Sequence, residues 1–175
     1  MLRPLQRSHL PALAGLVADP EVLRFTRIPA PVPDGFVDAW FGTYEAGRRD
    51  GTREAFAIED AGGAFLGLAL APEIDRDART VELGYIVAPA ARGRGVATAA
   101  LGQLTAWTFD ALGALRIELR ISVANPASRR VAERCGYVLE GVMRSLYVKP
   151  GLREDVELWS RLAADPRPAG DAGPQ

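Results

Sequence analysis

The sequence predicts a mixed α/β domain in which helices cover both faces of a sheet. Three observations carry this. Leu115, Ile117, Leu119, Ile121 and Val123 alternate with Arg116, Glu118, Arg120 and Ser122, the period-two pattern of a strand with one apolar face. Ala97, Leu101, Leu104, Thr108 and Ala111 instead recur at helical spacing within residues 94–112. The order along the chain is helices, hairpin, strand, helix, strand, helix and two strands, which calls for a sheet between helical layers.

The elements follow in turn. Ser8 to Val17 reads as a helix with Ser8 as its cap and Pro11 in the first turn. Asp19 to Phe25 reads as a short second helix. Prolines at alternate positions make Ile28–Pro33 a loop. Asp34 then caps a helix through Arg48, whose Trp40, Phe41 and Tyr44 belong either to the core or to a substrate wall. Glu54–Glu59 and Ala64–Ala71 form a hairpin about Ala61-Gly62-Gly63. Arg79–Ala88 is a strand, and Asn125–Cys135 is a helix stopped by Gly136. Two closing strands, Tyr137–Tyr147 and Asp155–Leu162, flank a turn at Pro150-Gly151. The domain is expected over residues 1–163. The Pro-, Gly- and Ala-rich stretch 164–175 is expected to be a disordered tail.

Composition narrows the class of function. The chain has 175 residues, 48% hydrophobic and 25% charged, with a net charge of −1. This is the balance of one globular domain and argues against nucleic acid as a partner. No apolar run approaches the roughly 20 residues of a membrane span, and no apolar leader opens the chain. The single cysteine, Cys135, permits no internal disulfide, and the single histidine, His9, no histidine-based metal site. A cytoplasmic protein without a metal is expected. Charge is uneven: counted along the sequence, residues 1–89 carry net −4, 90–153 net +6 and 154–175 net −3. A basic middle suits an anionic small ligand, and the acidic N-terminal part suits a cationic acceptor.

The basic middle contains one segment with specific chemistry. Between Tyr85 and Thr98 a strand ends, a loop turns and a helix begins. The start of a helix exposes unpaired N–H groups and the positive end of its dipole. Gly93 and Gly95 permit close approach to the backbone, Arg92 and Arg94 add charge, and no acid occurs between Glu82 and Asp110. The positive end is left for an external anion. A P-loop is excluded because its lysine is missing. The dinucleotide fingerprint fails at its third glycine, where Thr98 stands.

At these residues the chain resembles the GNAT acetyltransferases. Arg92-x-x-Gly95-x-Ala97 matches their R/Q-x-x-G-x-G/A signature. The block from Asn125 to Gly141 is similar to the N-x-x-S-x-x-V-A…G-F/Y-x-x-E-G block of the RimJ/RimL branch, the ribosomal-protein N-terminal acetylases. The stretch Gly151–Trp159 is similar to that branch's closing strand, with its aspartate at Asp155. The resemblance implies a splayed, mostly antiparallel sheet with a central parallel strand pair, acetyl-CoA as co-substrate, and dimers among relatives. By resemblance, Arg92, Gly93, Arg94, Gly95, Val96, Ala97 and Thr98 hold the pyrophosphate. Ile86 and Val87 offer backbone groups to the acetyl and pantetheine, and Asn125 bonds the pantetheine arm as well as capping its helix.

The implied reaction is acyl transfer from a thioester to a neutral amine. Ser128 falls on the family's serine near the departing sulfur. Many relatives carry a tyrosine acid where this chain has Ala132, which closes that route. Glu82 is the candidate base, because alternation sets it opposite the face of Val81, Leu83, Tyr85 and Val87; as an alternative it is an ordinary strand carboxylate. Tyr147 stands where the ribosomal enzymes have a carboxylate. The acceptor expected first is the N-terminal α-amine of a protein or peptide. A small amine (amino sugar, antibiotic or polyamine) and a silent CoA-binding module are the alternatives.

Overall fold

A computed structural model describes residues 1–166. Seven strands form one sheet in the order β1-β2-β3-β4-β5-β7-β6. They are β1 (Leu2–Pro4), β2 (Glu54–Glu59), β3 (Phe65–Asp75), β4 (Thr80–Val87), β5 (Arg116–Ser122), β6 (Val138–Lys149) and β7 (Leu152–Leu162). Every neighbouring pair is antiparallel except β4 with β5. The helices are α1 (Leu10–Leu16), α2 (Pro20–Phe25), α3 (Phe36–Asp50), α4 (Val96–Leu112) and α5 (Pro126–Arg134). Among the described residues no helix is long and apolar enough to cross a membrane.

Two cores sit on opposite faces of the sheet, as the order of elements predicts. On one face Ile117, Leu119 and Ile121 of β5 pack with Leu101 and Leu104 of α4 and Ala132 of α5. On the other, Ala55, Ala57, Leu68 and Ile86 pack against Leu13, Leu16, Val22, Phe41 and Tyr44. Fully burying a leucine such as Leu101 contributes about 1.5–3 kcal/mol. The buried stripe of α4 runs through Ala100, Leu101, Leu104, Thr105 and Thr108. It is turned slightly from the predicted stripe, and Ala111 is exposed.

Several helix starts differ from expectation. Arg7–His9 is a 3₁₀ turn, in which His9 Nδ1 accepts from the Gln6 N–H at 3.0 Å, and α1 begins after His9 rather than Ser8. Gly35, in the left-handed region at φ 71°, caps α3 in place of Asp34. Asp19 does cap α2, accepting from the Val22 N–H at 2.9 Å. The β2–β3 turn closes on Asp60 Oδ1, which accepts from the Gly62 and Ala64 N–H groups, each at 2.9 Å. Strand β1 has no sequence signal; three residues ending in Pro4 show no alternation and gain their place by pairing with β2. The expected domain limit at 163 falls just past β7. From residue 167 on, the expected tail lies outside the described residues.

Candidate active site

The sheet opens at its centre. Strands β4 and β5 pair over only three positions, Thr80↔Arg116, Val81↔Ile117 and Glu82↔Glu118. Beyond them β4 stays with β3, β5 stays with β7, and the two part. Direction of the backbone groups then decides what the gap offers. Ala88 N–H bonds Leu66 C=O at 2.8 Å, so in the antiparallel register Leu68 and Ile86 are also a hydrogen-bonded pair. A Cβ at Gly67 would lie 2.1 Å from the Ile86 carbonyl oxygen, which confirms that Ile86 faces β3.

The expectation that Ile86 offers its backbone to a ligand is therefore corrected. Its N–H and C=O are spent on Leu68, and its side chain enters the α1–α3 core. The open edge belongs to Tyr85 and Val87. The Val87 C=O accepts from Arg92 Nε at 3.2 Å; the Val87 N–H and the Tyr85 N–H and C=O face the gap.

Below that edge lies a cleft of about 320 Å³, lined by Val87, Arg92, Gly93, Gly95, Val96, Ala97, Thr98 and Asn125 among others. Gly93 and Gly95 have φ of 71° and 77°, a region that costs an L-residue with a side chain about 1–2 kcal/mol. Gly95 is the N-cap of α4, which begins at Val96, two residues later than the predicted start at Arg94. The first backbone bond is Ala99 N–H to Gly95 C=O, so the N–H groups of Val96, Ala97 and Thr98 stay open. No acid lies in the first turn.

The arginines divide differently from the sequence expectation. The Arg92 guanidinium is engaged by Asp19, at 2.7 Å, and by Glu21, so its charge is already met. Arg94 is exposed and does not line the cleft. Arg130 and Arg134 do line it, and neither makes an ion pair among the described residues. Sequence reasoning passed them over, although their i,i+4 spacing on the helix after β5 was the available signal.

Asn125 caps α5, its Oδ1 accepting from the Ser128 N–H at 3.0 Å. Its side-chain amide nitrogen is left for a ligand. Ser128 sits in the first turn and lines the same opening. A further residue arrives from β4: the Tyr85 hydroxyl lies 3.5 Å from the Ser128 carbonyl oxygen. Burial pushes the Tyr85 phenol up to about 12, so it remains protonated. Ala132, the missing tyrosine acid, is buried one turn further along α5.

A second cleft, of about 380 Å³, lies on the α1–α3 side and includes Glu82, Trp40, Tyr44 and Tyr147 in its wall. The two clefts share Tyr85, Asn125 and Ser128, so they meet where the strands part. Of the aromatic trio on α3, Phe41 is core, Tyr44 is both core and wall, and Trp40 stacks on Tyr44 with ring centroids 4.3 Å apart. Glu82 lies on the strand face opposite Val81 and Leu83 that alternation assigned to it, and it is buried rather than an exposed carboxylate. Its Oε1 accepts from Arg27 Nη2 at 2.7 Å. Its Oε2 takes no hydrogen bond and faces Arg120 Nη1 at 3.2 Å as an ion pair. Tyr147 does not replace a carboxylate chemically; its hydroxyl donates to the Thr26 C=O at 2.7 Å and anchors the 24–28 wall. Asp155 is also structural, accepting from the Ser145 N–H at 2.8 Å.

The expected acidic acceptor surface is not found in this cleft. Four of the N-terminal acids are paired away from it: Asp19 and Glu21 with Arg92, Glu54 with Arg48 and Glu59 with His9.

Residues 1–138 match the family described as the acetyltransferase (GNAT) domain. The chain belongs to the GNAT acetyltransferases. This GNAT chain is 31% identical over 108 residues to spermidine N(1)-acetyltransferase of Vibrio cholerae, a match covering 62% of each chain. It is 35% identical over 101 residues to the putative ribosomal N-acetyltransferase YdaF of Bacillus subtilis, covering 57% of this chain and 55% of the relative. The alignments thus span somewhat more than half the length of these relatives. The solved structure of the Vibrio cholerae spermidine N-acetyltransferase with CoA and spermine superposes with a TM-score of 0.83 at 26% identity, over 93% of this chain and 94% of that one. The mostly antiparallel sheet with one parallel pair is the GNAT fold that the resemblance implied.

Proposed function

We propose that this GNAT chain transfers an acetyl group from acetyl-CoA to a primary amine, with both substrates bound together. The carrying observation is the meeting of two clefts at the parted strands, one edged by open N–H groups and unpaired arginines, the other holding a buried carboxylate. Acetyl-CoA supplies the thioester acyl donor when bound. The N–H groups opening α4, with Arg130 and Arg134, hold the pyrophosphate. The Tyr85–Val87 edge and Asn125 take the amides of the pantetheine arm as an added strand would.

The protein then manages protons and charge. Glu82, positioned through Oε1 by Arg27, takes the amine's proton at its open Oε2, directly or through one water. The Val87 N–H stabilises negative charge developing on the acyl oxygen. As the C–N bond forms and the C–S bond breaks, a hydroxyl of Ser128 or Tyr85 gives a proton to sulfur and is reprotonated from water, while Glu82 releases the amine's proton to solvent. The likeness to YdaF supports a peptide or protein α-amine as acceptor. The enclosing 24–28 wall and β6 support a small amine. Val138, Val142 and Val148, 60%, 51% and 54% exposed on edge strand β6, support the expected homodimer.

Thiol release from acetyl-CoA against N-terminal peptides and small amines tests the proposal, with mass analysis of the acceptor. Acetylation of at least one amine is expected. CoA binding with no thiol release above background for any amine would replace it with a CoA-binding module.

A further inference from the structure

The acceptor cleft has a charge pattern of its own. Its charged side chains are Arg27, Arg53, Glu82 and Arg120, three guanidiniums to one carboxylate. That carboxylate accepts from Arg27 on Oε1 and faces Arg120 across an Oε2 that takes no hydrogen bond, and Arg120 is shared with Glu118. Arg53 has no carboxylate partner among the described residues, yet it is placed rather than loose. A Cβ at Gly47 would fall 2.5 Å from the Arg53 Cβ, so the bare glycine of α3 makes room for the arginine's stem. Arg53 shares the cleft wall with Tyr44. Arg53 is exposed in the cleft wall, so its charge is available to an acceptor bound there.

We infer that the acceptor amine carries an anionic group, a carboxylate or a phosphate, and that Arg53 recognises it. The inference rests on the acetyl-transfer reading of the same site. A polyamine has several ammonium groups, and in this cleft they would face unmatched positive charge. Aromatic faces can attract a cation by about 0.5–2 kcal/mol, and Trp40 and Tyr44 pack against each other at an interplanar angle of 40°. An arginine instead gives a carboxylate or phosphate a bidentate, charge-assisted contact. Specificity against polyamines then follows from repulsion as well as from attraction.

The test uses the full chain and thiol release from acetyl-CoA. Acceptors are matched in pairs: a dipeptide with a free C-terminal carboxylate against its amide, and phosphoethanolamine against ethanolamine, with spermidine alongside. The anionic member of at least one pair is expected to exceed its neutral twin about tenfold or more in kcat/KM. Which pair responds tells carboxylate from phosphate, and spermidine is expected to be poorer than the preferred acceptor. Arg53→Gln is expected to erase the gap by raising KM with kcat little changed, while Arg53→Lys keeps part of it. Neutral or polyamine acceptors outrunning the anionic ones would overturn the inference and leave acetyl transfer standing, and so would a gap unchanged in Arg53→Gln. Absence of thiol release with every acceptor would overturn both.

Discussion

Arg92 closes on Asp19 at 2.7 Å, so the residue that heads the glycine loop ties that loop to the first turn of α2. Asp19 does two jobs, because the same Oδ1 caps Val22. Asp19→Ala should therefore lower stability by about 1–2 kcal/mol, a cap plus a partly buried ion pair. Arg92→Gln should cost about 1 kcal/mol or less. The double variant should cost little more than Asp19→Ala alone, since the two share one interaction. Urea denaturation measures all three.

Ser128 and Tyr85 present the two hydroxyls where the clefts meet. Ser128→Ala and Tyr85→Phe should each lower kcat about ten- to a hundredfold, with KM for acetyl-CoA within about twofold. Steady-state rates decide this. Two unaffected rates would leave water as the proton source. Since burial holds the Tyr85 phenol near 12, it should add no limb to the pH–rate profile below about pH 10.

Glu82 is held by Arg27 and faces Arg120 with an open oxygen. Glu82→Gln should reduce kcat about a hundredfold and remove the limb of the pH–rate profile that reports deprotonation of a base. Thermal unfolding of the same variant shows whether it remains folded. An unaltered profile would remove Glu82 from the chemistry and leave it a structural carboxylate.

A different pair governs acid stability. Glu140 meets Arg116 Nη2 at 2.6 Å and accepts from Ser160 Oγ at 2.6 Å. The Arg116 hydrogen bond, then that of Ser160, holds the Glu140 carboxyl down to about 2 from 4.5. A depressed carboxylate stabilises the fold above its unfolded pKa and loses that contribution as pH falls through the folded one. The loss should fall between about pH 4.5 and 2 and amount to about 1 kcal/mol, discounted because the Glu140 side chain is 38% exposed. Glu140→Gln should flatten that part of a denaturation-against-pH curve.

Much of the fold was legible because its signals are local. The β5 alternation, the hairpin about Ala61-Gly62-Gly63 and the Asn125-Pro126 helix start need only neighbouring residues, and each stands as predicted. The glycine loop was legible for the same reason. Partnerships across the chain were not. Asp19 and Glu21 lie more than seventy positions before Arg92, so nothing near the loop reveals that this arginine is taken. Ile86 and Val87 look alike in sequence; only the register with β3 shows which one faces the gap. The N-terminal excess of acid likewise does not reveal that Asp19, Glu21 and Glu59 are engaged by partners far along the chain.

Calorimetric titration of CoA into the protein tests the central claim most directly. Wild type should bind with micromolar affinity, and the Arg130→Ala/Arg134→Ala double variant about tenfold or more weaker and with a shallower salt dependence. Arg94→Ala should bind as wild type does. Absence of wild-type binding tighter than about 1 mM, or a double variant indistinguishable from wild type, would contradict the assignment of this cleft to the cofactor.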